Sequence, residues 1–95
     1  MPARTSTPLK QAFQRFVELV KPIPQVKHVV GFEQGQDIYT YIESRDEDVM
    51  KKVFRAEDKV FDEFPETLIE FHVVYLEGRP LEDFVRPLPK LVFSR

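Results

Sequence analysis

Two histidines, a glutamate and two tyrosines are the residues of this chain whose types and spacing could do chemistry. Glu70 comes two residues before His72, and Tyr39 and Tyr41 alternate along a second β-like run. Alternation by two places Glu70 and His72 on one face of a strand. With His28, they are candidate ligands of a divalent cation, and in a desolvated cleft a carboxylate and a histidine can also transfer protons.

The composition excludes several other kinds of chemistry. The chain has no cysteine, so disulfides, thiolate catalysis and cysteine-based zinc sites are excluded. It has no glycine-rich phosphate loop, no G-x-S-x-G motif and no H-E-x-x-H motif. A net charge of −2 argues against nucleic acid as the main partner. We therefore predict no catalytic residue and no cofactor other than a divalent metal, and we lean towards a non-enzymatic protein.

The length of 95 residues fits one domain spanning residues 1–95. Residues 1–6 are polar and predict a flexible start, whereas residues 77–95 form a C-terminal extension rich in proline. No apolar run reaches the roughly 18–20 residues that a membrane span needs, and the first residues lack the apolar core of a secretory signal. These observations predict a cytoplasmic protein without a membrane partner.

The periodicity predicts an α+β fold with the order α-β-β-α-β. Apolar residues recur every three or four positions from Leu9 to Val20 and from Val49 to Phe64, as in amphipathic helices. Ser44 and Glu47 have the spacing of a capping box before the second helix. The strand predicted at 68–76 is the element around which the rest is organised. We expect a small mixed sheet with both helices on one face, and a C-terminal tail or short fourth strand.

The facing of the hairpin residues depends on the length of the turn near Gly35. A three-residue loop puts Val30 and Phe32 beside Ile38 on one uniformly apolar face, and we prefer it for that reason. In that register His28 points into the core, away from His72. A two-residue loop instead puts Val30 and Phe32 beside the tyrosines and lets the two histidines share a face.

Two helices on one face leave the second face of the sheet without a cover, which predicts an interface. Tyrosine is suited to such a face because it buries a ring and keeps a polar tip. We favour a homodimer interface over an active site. The candidate interface residues are Tyr39, Tyr41, Glu70, His72 and Val74 on the open face, with Leu91 and Phe93 on the terminal strand.

Three stretches carry a resemblance to a known family. They are V-K-H-V-V-G-F in the first strand, G-Q-D-I-Y-T-Y-I in the hairpin and F-P-E-T-L-I-E-F-H-V-V-Y at the last main strand. In order and spacing they resemble the cytoplasmic C-terminal domain of cation diffusion facilitator transporters, without the membrane part. The resemblance implies a dimeric α-β-β-α-β module and a metal-binding role for His72. The acidic residue that the family often has two positions later is Val74 in this chain.

The leading hypothesis is a small, non-enzymatic, homodimerising interaction module. The first alternative is a divalent-cation sensor that uses His72 with Glu70 or His28. The second is a small ligand-binding or hydrolytic domain that uses Glu70 and His72 together with the tyrosines.

Overall fold

The computed structural model describes residues 8–32, 36–85 and 91–95. Its elements are α1 (Pro8–Val20), β1 (Val26–Phe32), β2 (Asp37–Ile42), α2 (Glu47–Glu63), β3 (Glu70–Tyr75), a short 3₁₀ turn (Leu81–Asp83) and β4 (Leu91–Ser94). The strand order in the sheet is β3-β2-β1-β4, with β3 parallel to β2 and the other pairs antiparallel. The predicted α+β fold is confirmed, including a short fourth strand.

Two of the predicted segments lie wholly or partly outside the residues that the structure describes. The flexible start predicted for residues 1–6 lies outside the described residues, and so do residues 86–90 of the C-terminal extension. Within the ranges that are described, no helix is long and apolar enough to cross a membrane.

Both helices pack on the same face of the sheet, and the apolar stripes predicted for them are confirmed. Phe16 and Val20 from α1 and Val53 and Val60 from α2 are fully buried against that face. Arg15 links the two helices by donating to Glu63, with a distance of 2.9 Å between its Nε and Oε1. The main core therefore lies between the helices and one side of the sheet.

The start of α2 differs from the predicted capping box. Asp46, and not Ser44, is the N-cap residue, and its side chain accepts hydrogen bonds from the backbone N–H groups of Asp48 and Val49. A carboxylate at this position satisfies two amides that have no partner within the helix and also lies at the positive end of the helix dipole. The helix therefore begins two residues later than the predicted capping box places it.

The hairpin register also differs from the preferred prediction. Val30 lies opposite Tyr39, and Phe32 lies opposite Asp37, so Val30 and Phe32 share the second face with the tyrosines. The pairing shifts between Val26 and His28, where a bulge inserts one extra residue into β1. Because one extra residue inverts the facing of a strand, the three-residue register is wrong for every residue beyond the bulge.

The same shift turns Gly31 towards the helices. A Cβ atom at this position would lie 2.9 Å from Cδ1 of Phe13, closer than real side chains approach. Glycine at position 31 therefore lets α1 settle directly on β1.

The second face of the sheet is partly covered by the protein's own C-terminal extension. Leu81, Phe84 and Val85 pack against a small cluster formed by Val30, Tyr41 and Leu76. The prediction that the whole face is open is therefore wrong. The described part of the extension, up to Val85, covers the end of the sheet where β2 and β3 finish, and Tyr39 and His72 towards the other end are only half-buried by the described residues.

The turn between β3 and the extension is held by Glu43. Its backbone carbonyl accepts a hydrogen bond from the Glu77 N–H at 2.8 Å, and its carboxylate accepts one from the Gly78 N–H. Gly78 has a φ of +84°, a left-handed conformation that glycine adopts without strain. This anchor directs the chain back across the second face.

Candidate functional site

β3, around which the sequence is organised, is an edge strand of the sheet. Among the described residues no strand pairs with its outer side. The N–H groups of Glu70 and Leu76 donate inwards, to the carbonyl oxygens of Gln36 and Ile42. Backbone groups alternate along a strand, so those of Phe71, Val73 and Tyr75 point outwards. The outer side of β3 thus presents donors and acceptors that no described strand uses.

An apolar patch on the helix side flanks this edge, and we name it the edge patch. The members of this patch that belong to α2 lie one or two helical turns apart, on a stripe next to the buried stripe of the same helix. The exposed fraction is 47% for Phe54 and 40% for Phe61, which is unusual for phenylalanine in a small domain. The edge patch comprises Met50, Phe54 and Phe61 from α2 and the half-buried Phe71, Val73 and Tyr75 from β3.

Glu57 lies in the middle of the α2 stripe, between Phe54 and Phe61. The pKa of its carboxyl group is raised to about 7, first by burial and then by the charge of Asp58, while His72 acts in the opposite direction. A carboxyl group with this pKa changes its charge near neutral pH. The edge patch therefore carries a proton-dependent charge at its centre.

A cleft with a volume of about 440 Å³ opens at one end of the edge patch. Met50, Phe54 and Tyr75 line it, and Arg45, Glu47 and Lys51 complete its lining. At the opposite end of the patch, the Phe61 ring stands edge-on to the Phe71 ring, with their centroids 5.3 Å apart. α2 therefore runs antiparallel to β3, with Phe61 near the start of the strand and Phe54 near its end.

A second group of polar side chains lies on the second face of the sheet, opposite the edge patch, at the end that the described part of the extension does not cover. His72 Nε2 is 3.0 Å from Asp37 Oδ1 and 3.9 Å from Glu70 Oε1. One ligand atom from each of the three residues lies within 4.8 Å of the others. The parallel pairing of β2 with β3 creates this cluster because it places Asp37 beside Glu70. Three such ligands can hold a divalent cation and leave a coordination position open.

The predicted metal ligands are only partly brought together. His72 and Glu70 belong to the cluster, and the His72 ring stacks on Tyr39 at 4.4 Å. His28 faces the same side of the sheet, not the core as predicted, and lies on β1 with its Nδ1 2.8 Å from Ser94 Oγ. The strand β2 stands between His28 and His72, so His28 does not complete the site. The third ligand is Asp37, which sequence reasoning missed.

The predicted interface residues are spread over three places. Tyr39, Glu70, His72 and Val74 lie together on the second face near the β3 edge. Tyr41 is only 3% exposed because Phe84 covers it, with the ring centroids 5.8 Å apart. Tyr41 is thus a core residue of the small cluster, and its prediction as an interface residue is wrong.

Leu91 and Phe93 lie on the helix side of β4, at the opposite edge of the sheet. Phe93 is flanked by the charged groups of Lys21 and Arg95, 5.9 and 5.6 Å from its ring centroid. Arg95 also donates to the backbone carbonyls of Lys21 and Ile23, so the end of the chain fixes β4 in place. Leu91 and Phe93 are therefore half-buried by contacts with the core of the same molecule.

Phe54 and Phe61 are the site residues whose role the sequence did not reveal. Both widen the apolar stripe of α2 beyond what one sheet face can cover, and that width was the available signal. The width of the stripe could not be interpreted without knowing that β3 is at the edge of the sheet.

Comparisons with protein-family models, curated proteins and solved structures find no match to this chain.

Proposed function

We propose that this protein is a non-enzymatic interaction module that homodimerises through the outer edge of β3. The observation that carries the proposal is that a strand edge to which no described strand pairs coincides with an exposed apolar patch on the same side of the molecule. An added strand would satisfy the outward backbone groups of β3, and the apolar side chains beside it would supply the hydrophobic contribution.

The composition of β3 supports this role. Soluble proteins protect edge strands with lysine, proline or bulges, because an exposed edge otherwise pairs with other chains. The segment E-F-H-V-V-Y contains no lysine and no proline, and the register between β2 and β3 is continuous. An unprotected, regular edge of six residues is what a strand-pairing interface requires.

A second copy fits this edge better than an unrelated strand does, because the edge is complementary to itself. In an antiparallel pair centred on Val73, Phe71 of one copy faces Tyr75 of the other, and the two valines face each other. This register pairs all three outward residues with outward residues of the second copy, and each facing pair exchanges two hydrogen bonds. The resulting interface has the twofold symmetry that most homodimers use.

Sedimentation equilibrium between about 1 and 100 µM tests the proposal, a range typical of modest protein interfaces. We expect a mass that rises from monomer to dimer with concentration. A Val92→Ala variant, which removes an exposed apolar side chain from β4 at the other edge, should have the same dissociation constant. A monomer at every concentration would contradict the proposal.

Divalent-cation binding is a second candidate function, favoured by the proximity of Asp37, Glu70 and His72. Their side chains are 26%, 76% and 36% exposed, so the cluster is open to solution. The resemblance to the cation diffusion facilitator domain points to the same histidine. The hydrolytic alternative has less support, since a general acid or base needs desolvation and Glu70 is largely exposed.

Zinc titration followed by histidine NMR signals tests the second candidate. We expect the ring signals of His72 to shift with added zinc while those of His28 stay unchanged, which provides a control within the same molecule. Asp37→Asn should weaken binding by at least about tenfold, because it removes a charged ligand. If both histidines move together, or neither moves, the cluster is not a zinc site.

The remaining predictions concern location and partners. A cytoplasmic location and the absence of nucleic-acid partners stay predictions.

A further inference from the structure

We infer that Phe61 of each copy inserts into the cleft between Phe54 and Tyr75 of the second copy, so that the dimer is locked by two identical aromatic contacts. This inference rests on the proposed dimerisation through β3 and adds to it the residue and the site that determine specificity. It assigns an occupant to a cleft that the protein's own described residues leave open.

The positions of Phe61 and the cleft fit a twofold axis through Val73. Phe61 stands over Phe71 near the start of β3, and the cleft lies beside Tyr75 at the end of the strand. The two positions are four residues apart, or about 13 Å along a strand. An axis midway between them exchanges the two ends, so Phe61 of one copy arrives at the Tyr75 end of the other. The same axis brings the second Phe61 to the second cleft.

The chemistry of the cleft suits an aromatic ring. Phe54 and Tyr75 provide ring surfaces for offset or edge-on packing, and Met50 provides a flexible thioether that adapts to a ring edge. The Phe61 side chain is available for this contact, since 40% of it is exposed although the chain is folded around it. Burying a ring that is already partly ordered costs little side-chain entropy.

The charges around the two partners are complementary. Asp58 and Asp62 flank Phe61 on the outer side of α2, whereas Lys51, Arg45 and Glu47 lie at the cleft, where Arg45 pairs with Glu47 at 3.4 Å. Because the two α2 helices would run antiparallel across the axis, the carboxylates beside Phe61 of one copy approach Lys51 at the cleft of the other. Such rim charges contribute mainly to orientation and specificity, and they disfavour a parallel arrangement that would bring like charges together.

A single tryptophan provides a direct test, because the natural chain contains none. In Tyr75→Trp the reporter lies in the wall of the cleft, and we expect its emission to shift to shorter wavelength as the protein dimerises. Adding Phe61→Ala should abolish this shift and weaken dimerisation by about 30-fold, the loss typical of a central aromatic contact. Thermal unfolding of both variants checks that the fold is retained.

The outcomes separate this inference from the proposal on which it rests. A dimer whose tryptophan emission is the same as that of the monomer would overturn the insertion of Phe61 and leave pairing through β3 intact. An unchanged dissociation constant for Phe61→Ala would do the same. A monomer at all concentrations would remove both the dimer and the inserted ring. Val92→Ala in the Tyr75→Trp background is the control, and it should preserve both the emission shift and the affinity.

Discussion

Val73→Pro should give a folded monomer, with dimerisation weakened by about 100-fold or more. The Val73 N–H points away from β2, so the substitution removes no hydrogen bond of the isolated molecule. Proline is tolerated on an edge strand when its nitrogen faces solvent. In the dimer the two Val73 residues face each other, and the substitution removes both of their N–H donors. Each carbonyl left unpaired in a buried interface costs about 1–3 kcal/mol.

Val74→Pro is the matched control one residue further along. By the same alternation its N–H donates inwards to β2, so proline at this position breaks a hydrogen bond of the fold itself. We expect it to lower the free energy of unfolding by at least about 1–3 kcal/mol, whereas Val73→Pro should change it by less. Circular dichroism melts and sedimentation measure the two effects separately. If Val73→Pro leaves the dimer intact, β3 is not the pairing strand.

Glu57→Gln should stabilise the protein at pH 8 by about 1–3 kcal/mol, measured by urea unfolding at a concentration where the protein is monomeric. The folded state raises the pKa of Glu57 from 4.5 to about 7, so folding favours the protonated carboxyl. The favourable contribution of the protonated Glu57 carboxyl to the free energy of unfolding is fully present below pH 4.5, and it is lost as the pH rises through about 7. Glutamine mimics the neutral form. The two proteins should therefore differ little at pH 4 and most above pH 7.

The same carboxyl group should make dimerisation depend on pH. In the proposed dimer Glu57 lies near the axis, beside Asp58 of its own helix and close to Glu57 and Asp58 of the second copy. His72 on β3 partly offsets these negative charges. Dimerisation should therefore be stronger at pH 6 than at pH 8, and Glu57→Gln should remove most of the difference.

The exposed Glu66 provides a control for this effect, since Glu66→Gln makes the same chemical change at a residue that is not a member of the edge patch. It should alter stability by no more than about 0.5 kcal/mol and leave the pH dependence of dimerisation in place. A Glu57→Gln protein with unchanged stability at pH 8 would contradict the assignment of a half-buried carboxyl group with a raised pKa at this position.

The sequence by itself determined the fold class, the number and order of the main elements and the buried stripes of both helices. These depend on local periodicity, and periods of two and of about 3.6 residues can be read directly from the order of apolar residues. It also indicated the chemical character of Glu70 and His72. In each of these cases the deciding interactions lie within a few residues of one another along the chain.

Only the tertiary structure decided which of these residues meet. The bulge in β1 reversed the facing of Val30 and His28, because one inserted residue shifts the alternation for the rest of the strand. The pairing of β2 with β3 brought Asp37 to His72 across 35 positions of sequence. The C-terminal extension covered Tyr41, and the order of the strands left Phe54 and Phe61 at an open edge. Strand pairing and chain return depend on contacts between distant segments, which local periodicity does not encode.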